Sequence, residues 1–196
     1  MSKERLGTDY GGWVVELDFI NDGDVIIDAG LGEDISFLEE LAKIKNVKII
    51  GIDPTPKSHS YVESRNLKSL SLHKLAIAPK GVESISLYKN TNPNHVSESY
   101  LQDHGSVGQA FHTVKCTSFA DLIQEHNPSL IKMDIEGAEY DVLQECIGVK
   151  QICVEFHHHC LKTRDINDTN KMVKMLRDAG YDVIASNGIE YSFLLT

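Results

Sequence analysis

Two short stretches hold most of the residues that could move a proton. Asp134, Glu136 and Glu139 stand in Lys132-Met133-Asp134-Ile135-Glu136-Gly137-Ala138-Glu139, and Glu155 and His157 stand in Val154-Glu155-Phe156-His157. Each group follows an apolar run of strand type. In a parallel sheet neighbouring strand ends lie side by side, so these five side chains can converge on one cleft. Glu155 and His157 are two apart and share a face of an extended chain. Imidazole titrates near neutrality, which makes His157 the first candidate for a general base and Asp134 the second. Glu155 and Glu139 are candidates for holding a substrate, although Glu139 could serve only the first turn of the helix that follows. His158 and His159 are expected at the surface.

A metal is the alternative chemistry. Carboxylates from one strand end and a histidine from the next could bind Mg²⁺ or a transition ion that acidifies a hydroxyl. Adjacent residues of a strand face opposite ways, so the run His157-His158-His159-Cys160 cannot all serve one ion. No fixed-spacing metal signature is present, and a divalent metal is not the favoured reading.

A third stretch is built to receive a ligand. Val25-Ile26-Ile27-Asp28-Ala29-Gly30-Leu31-Gly32-Glu33-Asp34 reads as a buried strand, a tight glycine turn and a helix start. Gly30 and Gly32 let backbone approach a ligand closely, and Asp34 can cap the helix. A dinucleotide fingerprint would place a third small residue where Ile35 stands. Asp28, Glu33 and Asp34 would also repel a pyrophosphate, whereas they suit a ligand carrying a sulfonium and an ammonium. The pattern favours S-adenosylmethionine over NAD, with Asp28, Gly30, Gly32 and Asp34 around it. Val47 to Asp53 is a second buried strand ending in an acid, about 20 positions beyond Gly32, where a carboxylate takes ribose hydroxyls. Asp53 is accordingly a cofactor residue.

The elements that must position these groups alternate in type. Strands are expected at 25–28, 47–53, 70–77, 84–88, 113–117, 130–133 and 151–157, with a closing hairpin of 183–185 and 191–195 through Asn187-Gly188. The 84–88 strand reads as part of a hairpin turning at Gly81. Helices are expected after Asp34, over 118–126, after Glu139 and over 169–179. The prediction is one α/β domain over 1–196: a Rossmann-like, seven-stranded, mostly parallel sheet with one antiparallel edge strand and helices on both faces. Residues 7–13, with Tyr10 and Trp13 among glycines, read equally well as a lid or as a turn anchored on the sheet. Residues 89–109 are polar and aperiodic. A loop of that length is usually functional or disordered, which makes Ser97 and Ser99 candidates for substrate contact.

Bulk properties narrow the partners. The 29 acidic residues exceed the 19 basic ones for a formal net charge of −10, and no Lys/Arg-rich run appears. A nucleic-acid substrate is therefore disfavoured. Cys116, Cys146, Cys153 and Cys160 form no C-x-x-C pair and read as reduced thiols. Neither a secretory leader nor a membrane-spanning run is apparent, so a cytoplasmic protein with no membrane partner is expected. The sequence does not indicate an oligomeric state.

Asp28-Ala29-Gly30-Leu31-Gly32, Asp53-Pro54, the block from Lys132 to Glu139, and Val154-Glu155-Phe156-His157 together resemble the class I S-adenosylmethionine-dependent methyltransferases of the FkbM type. The Lys-x-Asp-x-Glu-Gly-x-Glu block is the most specific, and the resemblance runs from about residue 8 to the end. It implies O-methylation of a small hydroxylated molecule, often a sugar or natural product. It also implies that Gly30, Gly32 and Asp53 hold the cofactor and that Asp134 and Glu136 sit beside the cofactor's methionyl end and the methyl-accepting atom. The competing readings are a non-catalytic S-adenosylmethionine-binding module and, disfavoured by Ile35 and the acidic loop, an NAD-dependent oxidoreductase.

Overall fold

Val25-Ile26-Ile27 and Ile49-Ile50 offer no polar face, so both runs need cover on two sides. In the computed structural model, which describes residues 2–196, they lie inside a central sheet. The chain opens with a hairpin, β1 (Lys3–Leu6) against β2 (Trp13–Glu16). Next come β3 (Val25–Ala29), α1 (Ser36–Ile44), β4 (Lys48–Ile52), α2 (Pro56–Arg65) and β5 (Leu70–His73). The chain then leaves the sheet for β6 (Ala76–Ile77), β7 (Ser84–Asn90) and β8 (Val107–Thr117). It returns through α3 (Phe119–His126), β9 (Leu130–Met133), α4 (Glu139–Val142), β10 (Gln151–Glu155), α5 (Ile166–Asp178), β11 (Tyr181–Ser186) and β12 (Glu190–Leu195).

The seven-stranded sheet has the order β11-β12-β10-β9-β3-β4-β5, with β10, β9, β3, β4 and β5 mutually parallel. Its antiparallel strand, β12, lies one place in from the edge, paired with β10 on one side and β11 on the other. Phe193 and Leu194 of β12 are buried, while β11 is half exposed, so the more apolar strand takes the interior place. Successive strand residues feed opposite faces. Ile26 and Ile49 pack with Trp13, Phe37, Leu38 and Leu41, and Ile27 and Ile131 pack with Phe119, Leu143, Phe156 and Leu176. Helices therefore cover both sides. The order reverses between β3 and β9, and a ligand cleft belongs at the carboxyl ends there.

Four local readings change. The 70–77 strand is two: β5 closes the sheet edge, and β6 pairs in parallel with β8 in a separate sheet of order β6-β8-β7. Gly81, at φ +91°, turns the chain between β6 and β7 without a hairpin, because the antiparallel partner of β7 is β8. The 113–117 strand begins at Val107, so both ends of the polar 89–109 segment are strand. One side of this ribbon faces water, and its polar residues hide the period. Finally, α2 has Pro56 in its first turn and buries only Ser58 and Val62. Its apolar stripe was too thin to read, although the proline was a start signal.

Candidate active site

Gly30, at φ +81°, closes the end of β3 against β9. A Cβ there would stand 1.7 Å from the Asp134 carbonyl oxygen, so no larger residue fits. Gly32, at φ +55°, faces open space, and a Cβ would meet only a Val96 methyl at 3.8 Å. Asp53, at the end of β4, accepts hydrogen bonds from Gly32 N–H at 3.1 Å, Thr55 N–H at 2.8 Å and Thr55 Oγ1 at 2.6 Å. It thereby fixes the glycine turn to the next strand. Asp34 accepts from Ser36 N–H at 2.8 Å and Thr8 Oγ1 at 2.6 Å, which clasps the β1–β2 loop over the cleft mouth. Burial raises the Asp34 carboxyl, but these bonds win and hold it below the usual carboxylate range. Trp13 is buried in the core, whereas Tyr10 at 87% exposure stands on the rim, so this segment is anchored at one aromatic and open at the other.

Beneath the turn, buried Asp28 pairs with Lys132 Nζ at 3.0 Å, and Lys132 also donates to the Gly30 carbonyl at 2.6 Å. Burial pushes the Asp28 carboxyl up to about 6 against the pull of Lys132. Lys132 is on the cleft wall and Asp28 is not. Asp28 thus reaches the cleft only through Lys132, its register partner on β9, whose side chain lies on the same face of the sheet. A lysine among Leu130, Ile131 and Met133 was itself a signal, since lysines are rarely buried unpaired.

The second half of the site is the turn after β9. Glu136 adopts φ +53° and Gly137 φ +106°. Glu136 is held there by Ser99 Oγ donating to its carbonyl at 2.6 Å and by His104 Nε2 at 3.1 Å from Oε2. Glu139 is fully buried and accepts from Gly137 N–H at 2.9 Å and His157 N–H at 2.8 Å, with His157 Nδ1 at 3.0 Å. His157 Nε2 is left facing Asp134 Oδ1 at 3.5 Å, Glu136 Oε2 at 3.6 Å and Glu155 Oε1 at 3.9 Å. These atoms belong to a cleft of about 400 Å³.

The cleft brings Gly30, Gly32, Asp34 and Asp53 together with Asp134, Glu136, Glu155, His157 and Ser97 on one wall. Glu139 and Ser99 lie behind that wall. Both hold other site residues in place, so the expectation that they touch substrate is replaced by a positioning role. His157 sits among carboxylates. Burial lowers its pKa, but Glu139 above all, then Asp134 and Glu136, raise it well above the histidine range. Burial and the Asp134 charge push Glu155 up to about 7. His104, beside Glu136, comes from the β7–β8 connection, an aperiodic stretch that carries no local signal for it.

The donor set fits a cationic cofactor. Asp34, Asp53, Asp134 and Glu155 surround the glycine turn, with Lys132 the one basic side chain of lysine or arginine type on the wall. The sheet order and the turn at its reversal define the fold of class I S-adenosylmethionine-dependent methyltransferases. Among solved structures, precorrin-6y C5,15-methyltransferase from Geobacter metallireducens GS-15 is similar, with TM-score 0.51 and 15% identity over 89% of this chain and 80% of that one. Methanococcus jannaschii fibrillarin gives TM-score 0.49 and 7% identity over 98% and 82%. Aeropyrum pernix fibrillarin, with natively bound S-adenosylmethionine, gives 0.47 and 11% over 93% and 70%. No curated protein matches the chain in sequence. Residues 24–183 match the model of the methyltransferase FkbM domain. The chain belongs to the FkbM methyltransferase family, as the strand-end motifs suggested.

Proposed function

We propose that the chain methylates a hydroxyl oxygen of a small molecule with S-adenosylmethionine as donor. The observation that carries this reading is the ring of carboxylates around a glycine turn, a setting suited to a sulfonium and an ammonium and hostile to pyrophosphate. When bound, the cofactor supplies an already activated methyl group. The chain's own work is alignment and proton removal. Asp53 and Gly32 hold the nucleoside end and Asp134 the amino-acid end. Asp134 and Glu155 accept no hydrogen bond from the described residues, which leaves their oxygens to ligands, and Glu155 is the group placed to take the acceptor's proton. Ser97 and the connection between β7 and β8 bound the acceptor side. The net charge of −10 speaks against a nucleic-acid acceptor, and the helices of the described residues include none long and apolar enough to cross a membrane.

Calorimetric titration with S-adenosylmethionine and separately with NAD tests the donor. Saturable binding of the first and none of the second is expected, followed by transfer of labelled methyl to members of a hydroxylated metabolite panel. Binding of NAD alone would make the protein an oxidoreductase. Methyl-donor binding without transfer to any acceptor would favour the non-catalytic module.

A further inference from the structure

His157 is fixed from behind. Its backbone N–H and its Nδ1 both meet Glu139 Oε1, at 2.8 and 3.0 Å, and Glu139 has no solvent exposure. That bond leaves Nε2 of a side chain only 4% exposed aimed into the cleft. The oxygens around Nε2, at 3.5 Å (Asp134), 3.6 Å (Glu136) and 3.9 Å (Glu155), are too far for a normal hydrogen bond. The first two distances suit a different arrangement. Donors about 2.0–2.2 Å from one ion, at tetrahedral to octahedral angles, stand about 2.8–3.6 Å from each other. One ligand atom each from Asp134, Glu136 and His157 lies within 4.8 Å of the others.

The supporting contacts match those of metal sites, where a ligating histidine gives its other ring N–H to a carboxylate and ligating carboxylates are themselves held. Glu139 does the first. Buried His104 does the second, with Nε2 3.1 Å from Glu136 Oε2 and Nδ1 2.8 Å from Ser106 Oγ. The left-handed backbone at Glu136 brings that residue back beside Asp134, two positions earlier. No regular ligand spacing is needed for this, which is why the sequence shows no metal signature.

We propose that Asp134, Glu136 and His157 bind one divalent cation, whose open positions face the cleft and take the acceptor's hydroxyl oxygen. Two carboxylates and one imidazole suit Mn²⁺, Fe²⁺ or Zn²⁺. A hydroxyl held there loses its proton more readily, with Glu155 beside it to receive the proton. The cation site stands on the geometry alone, and its use on an acceptor rests on the methyl-transfer reading above.

The test uses the full chain stripped with a chelator and titrated with Mn²⁺, free ion being read by electron paramagnetic resonance. One saturable equivalent is expected, with affinity falling at least tenfold in Glu136→Gln and His157→Ala and unchanged in His126→Ala, on α3. Electron spin echo modulation of the wild-type complex should show coupling to an imidazole nitrogen, which needs no variant to fold. Calorimetry with S-adenosylmethionine runs on the same sample. Mn²⁺ left free in protein that binds the methyl donor overturns the cation site and leaves the methyl-transfer reading standing. Binding without nitrogen coupling overturns it equally. Nitrogen-coupled Mn²⁺ in protein that fails to bind the methyl donor supports the cation site and removes the methyl-transfer reading.

Discussion

Lys132 sits in a strand whose four residues are all buried, and its charge is tolerated because Asp28 and the Gly30 carbonyl receive it. Removing one partner of such a pair costs far more than removing both, since a lone charge is left without water. Lys132→Met should therefore destabilise the protein by about 3–5 kcal/mol. Lys132→Met combined with Asp28→Asn should lose clearly less than the sum of the two single losses, as read by urea unfolding. Asp28 also carries a pH signature. Its folded-state carboxyl lies at about 6 against an ordinary 3.8, so between these values the native state binds more protons than the unfolded one. Its contribution to stability therefore falls as pH rises through the window, by about 3 kcal/mol at 1.36 kcal/mol per unit. The stability difference between wild type and Asp28→Asn should shrink in wild type's disfavour from pH 4 to pH 6. A difference that stays flat over that range would refute the assignment.

At the level of elements, the site depends on two strand ends approaching so closely that only a glycine fits between them. Gly30→Ala would put a methyl against the Asp134 carbonyl and force β3 from β9 or unwind the turn. A loss of about 3 kcal/mol or more is expected from overpacking together with positive-φ strain, with methyl-donor binding weakened in whatever remains folded. Asp53→Ala acts more locally. It frees Gly32 N–H and Thr55, so binding of the methyl donor should fall at least tenfold while the melting point drops modestly, a split that calorimetry and thermal unfolding separate. These positions were legible in the sequence because an apolar run, an acid and a glycine at a strand end constrain one another over a few residues. The central strands were legible for the same reason, being apolar on both faces. What stayed hidden depended on distant partners. The N-terminal hairpin has charged residues in β1, and α2 has a thin apolar stripe. Ser99 gave no sign of lying behind the wall rather than on it, and for Glu139 a structural role was open but its bond to His157 was not visible. His104 reaches Glu136 only because a long polar ribbon folds back over the sheet.

For the molecule as a whole, the surplus of carboxylates is the property to exploit, since the acidic cleft concentrates negative potential where a cationic ligand would sit and discourages anions. A ligand that binds only the folded chain stabilises it by mass action, about 2.7 kcal/mol at a concentration one hundred times its dissociation constant. In a chain of 196 residues, each kcal/mol moves the melting point by roughly 2–4 °C. Saturating S-adenosylmethionine should thus raise the melting temperature by about 5–10 °C, and NAD at the same concentration should leave it unchanged. Salt sharpens the comparison, because screening weakens attraction between a cationic ligand and exposed carboxylates more than contacts within the buried cleft. The shift should therefore shrink only slightly between 0.05 and 0.5 M salt, on the order of 1 °C. A shift that vanished in salt would place the ligand on the acidic surface instead of in the cleft beside Gly32 and Asp53.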